Sequence, residues 1–189
     1  MSTSEATVLI PAGIWEIDPA HSSVNFSARH LMVSKVRGRF TSFHGTITVP
    51  DDALQASVNV VIDTASIDTR DDNRDTHLKS PDFLDVEKYP TITFVSTGVT
   101  GLSGESFTLT GNLTIKEVTR PVELKVEFNG IQQDPWGGTR GGFDAKTEFS
   151  RKDFGLEWNV ALEGGGVLVG DKVTIELEVE AVKKADETK

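Results

Sequence analysis

The apolar residues of this chain recur with a period of two, and few other patterns constrain a fold so tightly. Val24, Phe26 and Ala28 alternate with Ser23, Asn25, Ser27 and Arg29. The same alternation returns at Val58-Val60-Ile62, Phe107-Leu109, Val122-Leu124-Val126-Phe128 and Val173-Ile175-Leu177-Val179. Successive side chains of a strand point to opposite faces, so this period describes strands with one buried and one wet side. Punctuation falls between them at Pro50-Asp51-Asp52, Gly98 to Gly104, Asn129-Gly130, Asp134 to Gly142 and Gly164 to Gly170. Many short strands with little helix between them predict an all-β, antiparallel sandwich or barrel.

Two features favour the barrel. Several strands look long enough to close around a lumen. Glycines at positions 38, 45 and 111 sit inside strand-like segments, where bending or a bulge is expected. About eight strands would enclose packed side chains or one small ligand. Thr69 to Ser80 breaks the pattern: Asp71 and Asp72 come early, Lys79 late, and Pro81 follows. That charge order suits a helix dipole and the proline ends it, so one short helix is expected at a barrel mouth, followed by Phe83-Leu84.

At 189 residues the chain fits one domain. We expect a barrel over 14–182 between an N-terminal tail at 1–13 and a C-terminal tail at 183–189, with Met1 to Thr7 and Lys183 to Lys189 solvated. The formal charge of -10 argues against nucleic acid and against anionic lipid headgroups as partners of the surface, so a bound lipid is expected to be recognised by its apolar tail. There is no cysteine, which removes disulfides, thiolate catalysis and Cys-ligated metals. No stretch approaches the ~18 apolar residues of a membrane span, and the opening residues lack a signal-peptide pattern. The expected location is cytoplasmic, without membrane insertion.

Catalytic and metal signatures fail on inspection. Gly101-Leu102-Ser103-Gly104-Glu105 lacks the closing glycine of a nucleophile elbow. Val169 stands where the Gly164 to Gly170 run would need a glycine for a dinucleotide fingerprint. Asp71, Asn73 and Asp75 have calcium-loop spacing, but Thr76 replaces the turn glycine and Asp82 the bidentate Glu. His30 continues the Val24-Phe26-Ala28 face and could reach the lumen, whereas His77 lies on the helix beside Asp75 and Leu78. No cofactor or metal is expected. The inward face carries large residues, among them Phe26, Phe94, Phe107, Phe128, Phe143 and Trp158. Such a lining either packs solid or surrounds an apolar guest, since apolar surface seeks contacts at ~25 cal/mol per Å².

Trp15-Glu16-Ile17-Asp18-Pro19-Ala20-His21-Ser22, with Phe26 and His30-Leu31 beyond it, resembles the opening of the YceI-like family of polyisoprenoid-binding proteins. Further pieces match in order: Val36-Arg37-Gly38-Arg39-Phe40 and Gly45, Ser66-Ile67-Asp68-Thr69, Arg74-Asp75 with His77-Leu78, Asp82-Phe83, Tyr89-Pro90, Ile92-Thr93-Phe94, Gly111-Asn112-Leu113-Thr114-Ile115, and Arg151 to Trp158. The resemblance covers roughly Ile14 to Val182. It implies an extended, lipocalin-like barrel holding an isoprenoid, quinone-like or fatty-acid-derived chain for carriage, storage or sequestration, often as a homodimer and without catalysis. Combined with strand parity, it implies a lumen lined by Phe26, Ala28, Val60, Ile62, Phe94, Leu109, Leu124 and Val126, with His30 at its end. Phe83 and Leu84 would cap or gate one mouth. Arg74, Asp75 and His77 would fix the helix to the rim, and Arg151 with Asp153 would tie a turn by ion pairing. The rivals are a lipid-acting barrel enzyme using His30 or His77 and a stress-response or interaction module with a filled core. Many family members are exported, which this opening does not suggest.

Overall fold

A computed structural model of the chain describes residues 10–160, 162 and 168–185. Among these residues the strands are β1 (Gly13–Ile17), β2 (Ser23–His30), β3 (Ser34–Phe40), β4 (Phe43–Val49), β5 (Ser57–Asp63), β6 (Ile67–Asp68), β7 (Thr91–Ser103), β8 (Ser106–Ile115), β9 (Val118–Gln133), β10 (Thr139–Ser150) and β11 (Val169–Lys183). The hydrogen-bonded order β1-β4-β5-β7-β8-β9-β10-β11 closes on itself through a β1–β11 pairing. Eight antiparallel strands therefore complete a lipocalin-like ring, as the alternation predicts. The strand β11 is shared: Ala181 to Lys183 pair with β1, whereas Val169 to Glu178 pair with β2. From that second stretch β2, β3 and β6 continue the sheet, and Phe26, Ala28, Phe40 and Ile67 on them face the same interior.

The ring reaches slightly past the expected boundaries. Gly13 pairs with Val49 and Lys183 with Trp15, so both belong to strands. Ile10 is buried, and Pro11 accepts a hydrogen bond from the Trp15 indole at 3.0 Å. The glycines of Gly98 to Gly104, expected to interrupt the sheet, lie mostly inside the 13-residue β7 and mark register shifts against β8. Asn129-Gly130 likewise sits within β9. In both places a glycine bends a continuing strand rather than ending it.

Gly38 and Gly111 have a second role. A Cβ on Gly38 would lie 2.4 Å from the Phe26 ring, and one on Gly111 would lie 2.4 Å from the Phe94 ring and 2.8 Å from the Val95 carbonyl. The absent side chain is the space that the neighbouring ring fills.

Helix α1 (Asp72–Lys79) is the single α-helix among the described residues. The Asp71 carboxylate accepts from the Arg74 amide at 3.0 Å and caps it. Thr69 stays outside the helix as its anchor. Asp75 accepts from the Thr69 amide at 2.9 Å and from its hydroxyl, while Arg74 donates to the Thr69 hydroxyl and carbonyl, each at 2.8 Å.

The two ends of the barrel are plugged differently. At the helix end Phe40, Phe43, Leu84, Ile115, Phe154 and Leu156 share one buried cluster. At the opposite end Ile10, Trp15, Ile47, Val49, Phe128 and Ala181 form another. Phe94, Leu109, Leu124, Val126 and Ala145 join them along the wall.

Candidate functional site

The inward faces enclose a cavity of about 310 Å³ that runs between the two plugs. Every side chain lining it is apolar except Thr147 and Arg151. The volume is roughly twenty times what admits one water, yet a water needs two to four polar partners and these walls supply almost none.

Strand parity identifies this lining well. Phe26, Ala28, Val60, Ile62, Phe94, Leu109, Leu124 and Val126 all line the cavity, as do Phe83 and Leu84 at the helix end. Cross-strand pairs explain the set: Val60 faces Phe94, and Leu109 faces Leu124, so one parity carries around the wall. His30 is the exception. It has inward parity but is half-buried at the last rung of β2, opposite Val169, and it does not line the cavity. The ladder jumps from the Ala28–Val173 rung to the His30–Val169 rung at this point, an irregularity that ends the regular wall. Trp158 and Phe128 also stand outside the lining. Trp158 packs against the His77 ring at 4.5 Å and the Phe83 ring at 5.3 Å, whereas Phe128 belongs to the opposite plug.

The helix end is built as a cap. Phe83 and Leu84 are each 7% exposed, and the Leu84 amide donates to the Leu78 carbonyl at 3.0 Å. Leu78 is the helix side chain that reaches the cavity. His77 turns away from the lumen, with Nε2 2.9 Å from Asp82 and its ring edge on Phe83 and Trp158. It therefore braces the cap, as its position beside the rim suggested.

Arg151 differs from its expected role. It does not pair with Asp153. It is 3% exposed and donates to the carbonyls of Gly170, Leu156, Trp158 and Val169, with Asp171 at 3.8 Å. Burial pushes its guanidinium pKa down, opposed by the Asp171 charge. Its partners are main-chain oxygens, which leave no mark in a sequence. The outcome is a buried cation that ties the segment after β10 to the start of β11.

Asp18, His21 and Glu180 gather near the other end at distances that would suit a metal ion. Arg140 already supplies a cation there: Nη1 lies 2.8 Å from Asp18 and 3.1 Å from Glu180, and Nε lies 3.0 Å from Asp134. The Arg140 hydrogen bond, reinforced by His21, holds the Asp18 carboxyl down at about 2. The cluster is an ion-pair knot at the β1–β11 seam.

Residues 15–181 match the family described as YceI-like domain. A UPF0312 protein of Vibrio vulnificus is 40% identical over 166 residues, which are 87% of this chain and 84% of that one. Among solved structures, BcnA of Burkholderia cenocepacia aligns with a TM-score of 0.74 at 25% identity, over 87% of this chain and 98% of that one. A polyisoprenoid binding domain from Saccharophagus degradans, implicated in plant cell wall breakdown, aligns with a TM-score of 0.68 at 15% identity, over 90% and 98%. The last likeness is one of fold.

Proposed function

The chain belongs to the YceI-like family, and from that premise we propose that it binds one apolar long-chain molecule, isoprenoid, quinone-like or fatty-acid-derived, inside the barrel and acts as a carrier or buffer for it. The observation that carries this reading is the 310 Å³ cavity with its almost wholly apolar lining. At about 24 cal/mol per Å³, a space of this size without contacts would cost on the order of 7 kcal/mol. That is comparable with the ~5–15 kcal/mol by which whole domains are stable. A hydrocarbon chain recovers those contacts and needs no polar partner. The polyisoprenoid binding domain of the same fold supports the ligand class.

Carriage fits the chemistry better than turnover. A catalyst needs an acid, base or nucleophile poised at the substrate, and among the described residues the cavity is lined by neither histidine nor carboxylate. The one ionisable lining group, Arg151, is occupied by main-chain carbonyls.

The test is solvent extraction of the purified protein followed by mass spectrometry, which should return a long-chain lipid in near-stoichiometric amount. Ala28→Trp, which fills the lumen from β2, should lower that occupancy while circular dichroism remains unchanged. Protein that yields no hydrocarbon, and takes up none when offered, would overturn the reading.

A further inference from the structure

We propose that the β2–β3 hairpin is a docking finger for an anionic lipid surface, laying its basic outer face on the headgroups and its apolar tip between them. The chain's charge is far from evenly spread. Residues 19–50 contain four basic residues (Arg29, Lys35, Arg37 and Arg39) and no acidic one, so +4 resides there and -14 in the remainder of the -10 chain. All four are exposed, and the register places them together. Arg29 pairs with Lys35, Ser27 with Arg37 and Asn25 with Arg39, on the face opposite to the cavity-lining Phe26 and Ala28. Of these four, only Arg39 has an ion-pair partner among the described residues, Asp68 at 3.6 Å. Three exposed cations without an ion-pair partner, on an otherwise acidic molecule, are complementary to phosphate headgroups, which attract each nearby Lys or Arg.

The tip supplies the second observation. Leu31 is 39% exposed, Met32 56% and Val33 79%. Leu31 and Met32 also hold left-handed backbone, with φ of 53° and 63°, at the centre of the turn closed by the Val33 amide on the His30 carbonyl. Asn-Gly is the pair suited to such a turn, and large side chains are strained there. The chain thus keeps two bulky apolar residues where both backbone and solvent oppose them. Strain and exposure together, one rung beyond the Ala28–Val173 and His30–Val169 pairs at the cavity's end, place an apolar probe beside the proposed cargo site. The purpose of docking rests on the carrier reading, but docking itself is measured separately.

The experiment is co-sedimentation of the full chain with vesicles of phosphatidylglycerol and phosphatidylcholine in equal parts, against phosphatidylcholine alone. Binding is expected only to the anionic vesicles and should weaken with salt. Replacing Arg29, Lys35 and Arg37 together by Gln should lower partitioning on the order of 100-fold, since each charge contributes about fivefold. Leu31→Asn with Met32→Gly should raise the melting temperature, because the turn relaxes, yet lower partitioning. Those opposite signs separate a docking tip from a merely structural turn. Absence of binding to anionic vesicles, or binding that survives both variants, would overturn the finger, including the case in which the hairpin instead holds a protein. Uptake of a fluorescent fatty acid, measured on the same samples, keeps the two claims apart. A chain that takes up the probe but ignores the vesicles loses only the finger, and one that docks but stays empty loses only the cargo.

Discussion

Gly111 shows how one residue sets the shape of the lumen. A methyl group at this position would meet the Phe94 ring at 2.4 Å and the Val95 carbonyl at 2.8 Å. The ring could turn aside, but the carbonyl belongs to the β7–β8 ladder and has nowhere to go. We expect Gly111→Ala to destabilise the fold by about 1–3 kcal/mol, the usual cost of forcing carbon into a filled site, read as a lower denaturation midpoint in urea. Gly38→Ala should cost less, because its close neighbours are side chains, Phe26 and Thr69, rather than main chain. Both positions are visible in the sequence as glycines out of place in a strand. Their reason, a ring lying across them, is visible only once register pairs Phe26 with Gly38. Arg151 is expected from the sequence to tie a turn by pairing with Asp153; its burial and its carbonyl partners were not legible. Side-chain identity records which faces are apolar; it does not record which main-chain oxygens a folded loop aims at a cation.

At the scale of elements, none of the residues of helix α1 is fully buried, and beside the packing of Leu78 the helix is held by the polar contacts of its first half. The Asp75 carboxylate carries much of that attachment through the Thr69 amide and hydroxyl, and Thr69 is 4% exposed. Asp75→Ala would leave a buried amide without its acceptor, at a cost of about 1–3 kcal/mol. The loss should be local: hydrogen exchange over 72–79 should speed up well before the β7–β10 ladder is affected, and acceleration everywhere alike would contradict this attachment. The helix itself was readable from charge order and Pro81, and the strand faces from alternation. What the alternation could not convey is connectivity. It says nothing of β11 dividing its length between β1 and β2, or of a two-residue β6 on the edge of β3. Glycine was also ambiguous, because the same residue that ends a strand elsewhere bends β7 and β9 without interrupting them. Eight of the expected residues line the cavity because one parity runs around the wall, and Phe83 and Leu84 reach it from the cap; His30 stands outside where that regularity stops.

For the whole molecule, closure is the vulnerable step. The ring shuts through only three β1–β11 rungs, Trp15 to Ile17 against Ala181 to Lys183, and so short a seam gains from whatever binds its flanks. Arg140 on β10 does so by reaching Asp18 beyond β1, Glu180 on β11 and Asp134 in the turn before it. The Asp18 carboxyl has a folded pKa of about 2 against an ordinary value of 3.8. A depressed acid contributes stability above its unfolded pKa and loses it as the pH falls through the folded one. The seam should therefore be at full strength above pH 4 and weaken progressively towards pH 2. Solvent screening limits the loss from Asp18 to on the order of 1 kcal/mol. Asp18→Asn should lower the neutral-pH stability by about this amount and flatten the acid limb of the stability curve. An unchanged acid limb in that variant would mean that the ion-pair knot does not hold the barrel shut. Because the cavity's walls are continuous with the seam through Ile17, retention of a fluorescent fatty acid should fall over the same pH window, earlier than the loss of strand signal. Closure and cargo would then be one property of the ring, measured two ways.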